Sequence, residues 1–196
     1  MLSFFEDRLM SNITSMDSRQ LSALSLAASF RIANSISPLS SHSDAQLSLP
    51  NIRRSWSMIN DDSSDFFSFR ALLDDILRTL PEEPDNWDWA NILNDHAISA
   101  NAYAVRCMLT GDPKEAVWAL RRAYEAADQI AIKLMNIDTN QAGAEQLLLE
   151  SSYVQQELGR QERDVILLRS GTRAFIDRRS NDSMDEECLV IVVASP

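Results

Sequence analysis

The chain has 196 residues, 45% of them hydrophobic, and a formal net charge of −11 from 29 acids against 18 bases. That length can bury one sizeable core, while so negative a balance disfavours non-specific nucleic-acid binding, which depends on Lys and Arg neutralising phosphates. Four glycines, Gly111, Gly143, Gly159 and Gly171, are too few for the turns and phosphate loops of all-β and doubly wound folds, so the plentiful Ala and Leu point to an all-α chain.

The first residues, MLSFFEDRLM, carry Glu6, Asp7 and Arg8 where a secretion signal needs an apolar run. Asp17 followed by Gln20 has the spacing of a capping box, and Leu21, Leu24, Ala28 and Ile32 continue at helical intervals. Residues 34–50 are Ser-rich with two prolines and read as a loop. Ile52, Trp56 and Ile59 mark a short helix. Phe66, Phe69, Leu73, Ile76 and Leu80 mark a stronger one, ended by Pro81. Residues 81–86 form an acidic connector.

Residues 87–135 predict a helical hairpin. Trp89, Ile92, Ala100, Ala104 and Cys107 line one side of its first helix, and Gly111 ends it. Asp112 is a good N-cap, Pro113 falls at the first helical position, and Glu115 sits where a capping box would be completed. Val117, Leu120, Tyr124, Ala127, Ala131 and Leu134 then make an apolar face. So short a turn implies antiparallel helices.

After Asn136, the residues Leu147, Val154, Leu158, Val165 and Leu168 predict one long helix, weakened but not broken by Gly159 and stopped at Gly171, with a short helix to Arg179. Ser151 and Glu162 fall on or beside its apolar stripe, either at an edge that reaches water or as a buried polar contact with an arginine. The chain thus reads as a single antiparallel bundle of about six to eight helices over residues 1–181. A tail follows over 182–196, with four acids and then CLVIVVA at 188–194. The tail is too short for a membrane span; its Val and Ile favour an extended segment that packs, pairs with a second subunit or stays mobile.

Few chemistries fit. No glycine-rich phosphate loop stands here. Cys107 and Cys188 match no metal or redox spacing and suit a reducing cytoplasm. His42 and His96 are the only histidines, too few for a zinc site. Asp88, Asn91 and Asp95 share a helix face beside His96, so Asp88, Asp95 and His96 are the weak candidates for oxygen-rich metal binding. The blander reading is charge near a helix start and a hydrogen-bonded or surface histidine. No catalytic or cofactor residue is identified, and no cofactor is expected.

The charge is localised. Residues 61–95 hold ten acids against Arg70 and Arg78, a net of −8. This is either a solvated face or a docking face for a basic protein. Asp74, Asp75, Glu82, Glu83, Asp85, Trp87 and Trp89 are the candidate partner-binding residues, because Trp anchors interfaces well. Core packing is the competing reading for all four tryptophans. Sixteen of the eighteen bases are arginine, for which internal ion pairs are the first reading.

Several segments resemble the YjaG-like family of small bacterial proteins, a domain of unknown function numbered four-sixteen. They are FEDRLMSNITSMDSRQLSALSLAASFRI, LLDDILRTL, NDHAISANAYAVRCMLTGDPKEAVWALRRAYEAADQIA and ELGRQERDVILLRSG. The resemblance implies an all-helical, soluble bacterial protein and transfers no catalytic residues. The family pattern has an acid just before the alanine matched by Ala97; His96 stands there, with Asp95 one place earlier. The apolar tail has no counterpart in that pattern. Three functions compete: an immunity or inhibitor protein for a basic partner, a homo-oligomeric scaffold or regulatory protein, for which a homodimer is one candidate assembly, and, remotely, a divalent-metal-dependent hydrolase.

Overall fold

The computed structural model describes residues 1–36, 48–61, 63–80, 89–171 and 175. Among them stand eight helices and no strand, in accord with the all-α reading. The helices are α1 (Glu6–Ile13), α2 (Ser18–Asn34), α3 (Leu49–Asn60), α4 (Phe66–Leu77), α5 (Trp89–Thr110), α6 (Pro113–Met135), α7 (Ala144–Glu150) and α8 (Ser152–Ser170).

Helix α2 is the axis of the fold. Asp17 accepts from the Gln20 amide while the Gln20 side chain accepts from the Asp17 amide, the capping box that the spacing predicts. From Leu21 to Ala33 every residue is buried. A helix buried all round needs partners on every face, and α2 packs chiefly on α5 and α6. Small residues let it approach α5 closely. The Ser22 hydroxyl donates to the Ala104 carbonyl and the Ser29 hydroxyl to the Ala97 carbonyl, both at 2.8 Å. Later residues of α2 thus meet earlier residues of α5, and the two run antiparallel.

The hairpin of α5 and α6 forms as predicted. Gly111 (φ 66°) turns the chain in a left-handed conformation that suits glycine. Arg106 pairs with Glu115, the Tyr103 ring lies against Trp118, and Lys133 lies over Trp89, so the helices are antiparallel. Asp112 caps α6 by accepting from the Lys114 amide. The predicted role of Glu115 changes: it is buried and bonded to Arg106 at 2.8 Å, so its carboxylate serves the hairpin rather than the cap.

Other expectations need correction. The single long helix after Asn136 is two helices. Ser151 is extended (ψ 145°), ends α7, and caps α8 by accepting from the Val154 amide. Leu147 is therefore exposed and Leu148 faces the core. The Ser-rich loop is shorter than residues 34–50, because Asn34 closes α2 while Leu49 and Pro50 open α3. Phe66, expected in the core stripe, is 59% exposed, since it begins α4 ahead of the first buried turn at Phe69. Trp118 is 39% exposed, whereas Trp56 is buried in the core as expected. The acidic connector, most of the 34–50 loop, the helix toward Arg179 and the tail 182–196 lie outside the described residues.

Candidate functional site

Three polar arrangements stand out against this frame: a buried charge network, an acidic face on α4, and a cleft on the α5–α6 hairpin.

The network joins α2 to α8. Glu157, Gln161 and Asp164 lie four and three residues apart, so they share one face of α8, and all are buried. Arg31 of α2 meets them with its side chain fully buried. Its Nε and Nη2 donate to the two Glu157 oxygens and Nη1 donates to Asp164, each at 2.8 Å. Gln161 donates to Glu157 at 2.9 Å and to the Leu120 carbonyl at 3.0 Å, tying α6 to the same cluster. The alternative of a buried arginine contact on the α8 stripe is realised, but by residues other than Ser151 and Glu162. Glu162 is half-exposed and pairs with Arg8 at 2.9 Å. The legible signal was a lone arginine inside the apolar run of α2. With side chains satisfied and shut from solvent, the network is structural.

The acidic face centres on α4. Asp65 caps the helix by accepting from the Ser68 amide at 2.8 Å, and Asp61 accepts from the Ser63 amide and hydroxyl. Hydrogen bonds to Ser63 and Ser68 hold both carboxyls below the usual range. Asp75 bridges two helices, taking Arg54 at 2.8 Å and Arg78 at 2.9 Å, while Asp74 has Arg70 at 3.8 Å. Beside them Phe66 and Phe67 stand 59% and 79% exposed, their rings edge to face at 5.9 Å. Sequence reasoning overlooked Phe67; both rings of the doubled phenylalanine face away from the core, one turn ahead of the buried Phe69. Of the other candidate partner residues, Trp89 is half-buried beneath Lys133, whose ammonium is 5.5 Å from the ring centroid. Glu82, Glu83, Asp85 and Trp87 lie outside the described residues, as does Asp88.

The cleft lies on α5 and α6, lined by Tyr103, Trp118, Arg121, Arg122 and Glu125, with a volume near 310 Å³. Glu125 accepts from Arg121 at 3.2 Å and from Arg122 at 3.4 Å, and its other neighbour is His96 Nδ1 at 3.9 Å. His96 is buried, and burial followed by the Arg122 charge depresses it to about 4, so it is neutral at pH 7. Burial raises the Asp95 carboxyl, with Arg122 opposing. The structure thus gathers Asp95 and His96 around an arginine. Among the described residues no three His, Cys, Asp or Glu side chains are grouped so as to hold a metal ion.

No protein-family model matches the sequence, and no curated protein matches it. A solved structure does: the crystal structure of a DUF416 family protein from Shewanella baltica OS155 superposes with a TM-score of 0.70 over 88% of this chain and 91% of that one, at 11% identity. The two chains share a fold, and it is the fold that the sequence resemblance implies. No helix among the described residues is long and apolar enough to cross a membrane.

Proposed function

We propose that the protein is a non-catalytic binding module, a divergent cytoplasmic relative of the YjaG-like proteins, whose α4 face docks a basic protein as an immunity or inhibitor protein docks its target. The observation that carries this reading is the exposed Phe66–Phe67 pair set among ionised carboxylates. Exposed aromatic anchors on a face of net negative charge suit an interface that selects an oppositely charged partner. Arg54, Arg70 and Arg78 partly neutralise Asp74 and Asp75, which leaves Asp61, Asp65 and the connector acids as the steering charge.

The test is capture from bacterial lysate on immobilised protein at low and high salt, beside the Phe66→Ser/Phe67→Ser variant. A basic protein retained at low salt, released as charges are screened and lost with the double variant supports the reading. Retention that ignores both salt and the phenylalanines overturns it. A second copy of the chain retained in place of a basic protein overturns it in favour of the homo-oligomeric scaffold.

A further inference from the structure

The cleft on the α5–α6 hairpin has features that docking at α4 does not use. Glu125 is held by long contacts only: 3.2 Å to Arg121, 3.4 Å to Arg122 and 3.9 Å to His96. Most other carboxylate–arginine pairs among the described residues close to 2.7–2.9 Å, the range of a charge-assisted bond; the exposed Arg70–Asp74 pair, at 3.8 Å, is the other long one. The Glu125 carboxylate is shared among three groups and drawn fully to none. Arg122, a third exposed, makes that 3.4 Å contact as its closest ion pair among the described residues. His96 Nδ1 is buried with no hydrogen-bond partner there. Buried polar atoms are satisfied in the great majority of cases; this orphan is one of six among the described residues, and it is the one that faces Glu125, at 3.9 Å.

The walls of the cleft are aromatic. Tyr103 and Trp118 lie 5.6 Å apart at 54°, with Trp118 partly open to solvent. The Arg106 guanidinium sits 6.0 Å from the Tyr103 centroid. A volume near 310 Å³ is at the lower end for small-molecule sites.

We infer that this cleft is a binding site for a small planar oxyanion, a flat ring bearing a carboxylate or phosphate, with the ring on Trp118 and Tyr103 and the oxyanion on Arg122 and on Arg121, whose Nη1 is held by Glu6 at 2.7 Å. His96 stands behind Glu125 and meets the oxyanion only where the Glu125 carboxylate now lies. Glu125 occupies the oxyanion's place when the site is empty and swings out to admit it. Neutral His96 presents Nδ1–H as a donor, and the guanidinium of Arg122 offers a fork that suits either anion.

The inference makes two substitutions act in opposite directions. Titration calorimetry with benzoate, adenosine monophosphate and inorganic phosphate would be run on the full chain and on Glu125→Ala and Arg122→Gln, with the Trp118 indole N–H followed by NMR. Removing the internal competitor in Glu125→Ala tightens binding about tenfold or more, whereas Arg122→Gln weakens it roughly ten- to hundredfold. The benzoate and nucleotide arms distinguish a carboxylate from a phosphate source, and the Trp118 signal shifts for either. Unchanged affinity in both variants overturns the site. So does phosphate binding as tightly as the nucleotide, because the aromatic wall would then contribute nothing. Glu125→Ala that keeps its fold and binds none of the three also overturns it.

Discussion

At the scale of residues the largest energies belong to Arg31. A fully buried guanidinium is tolerable only when its donors are matched, and Glu157 and Asp164 supply carboxylate oxygens at 2.8 Å. Removing one partner of a buried ion pair strands the other. Arg31→Met is therefore expected to destabilise the protein by about 3–5 kcal/mol in urea unfolding, since two buried carboxylates lose their cation. Combining it with Glu157→Leu and Asp164→Leu should recover most of that loss; a triple variant as unstable as the single one would show that the network does more than neutralise itself.

Two further residues make stability depend on pH, with opposite signs. The folded-state value of His96 is about 4, below its ordinary 6.5. As pH falls from 6.5 toward 4, the unfolded chain takes up a proton that the folded chain refuses, and up to about 3 kcal/mol of stability is lost. Asp128 runs the other way. Burial, then repulsion from Glu125, raises its carboxyl to about 6, and its Oδ1 has no hydrogen-bond partner among the described residues. As pH falls through 6 the folded chain keeps a proton that the unfolded chain lacks, and stability is gained down to the ordinary aspartate range. Urea midpoints taken across this window should fall less steeply for His96→Gln than for the parent and more steeply for Asp128→Asn. Parallel curves for all three proteins would remove both assignments.

At the scale of elements, what was legible followed local rules. The α2 cap was readable because Asp17 and Gln20 act within four residues, and the α5–α6 hairpin because Gly111, Asp112 and Pro113 each have a local reason for their place. Helix α1 was not legible: Phe5 at its N-cap offers no side-chain acceptor, and the helix is eight residues long. The break at Ser151 was hidden for a related reason. Val154, Leu158 and Val165 keep their spacing whether or not a helix precedes them, and a serine that can cap can equally lie inside. The candidate site was less legible still. That Asp95 and His96 would meet Arg122 and Glu125 depends on the rotation of α5 against α6, and spacing along one helix does not determine rotation against another. These elements also carry a prediction. Ser151→Ala removes the α8 cap and should cost about 1 kcal/mol. Gly159→Ala should add about 0.5–1 kcal/mol, because a Cβ there would meet nothing closer than a Leu2 methyl at 4.0 Å. A destabilised Gly159→Ala would mean that α8 needs the close approach of the N-terminal segment.

At the scale of the whole molecule, the N-terminal segment is sewn to α8. The Leu2 amide donates to the Gln155 side-chain oxygen at 2.8 Å, and the Gln155 amide group donates to the carbonyls of Leu2 at 2.7 Å and Leu149 at 2.8 Å. Further along, Arg8 pairs with Glu162, and Arg169 donates to the Asn12 carbonyl. The segment from Leu2 to Asn12 thus runs parallel to α8, and this closure joins residues more than 150 positions apart. Contacts of such separation repay their loop entropy only after the α2–α5–α6 core is in place. The seam is also half-solvated, so it belongs at the low end of local stability. Gln155→Ala should therefore release the N-terminal segment without releasing the core. Hydrogen exchange is expected to quicken about tenfold at Leu2 and through α1, following the loss of three part-buried hydrogen bonds, while the amides of α2 and α5 keep the protection of global unfolding. If α2 lost protection along with α1, the seam would be part of the cooperative core, and α8 would be held by the N-terminal segment as firmly as it is by Arg31.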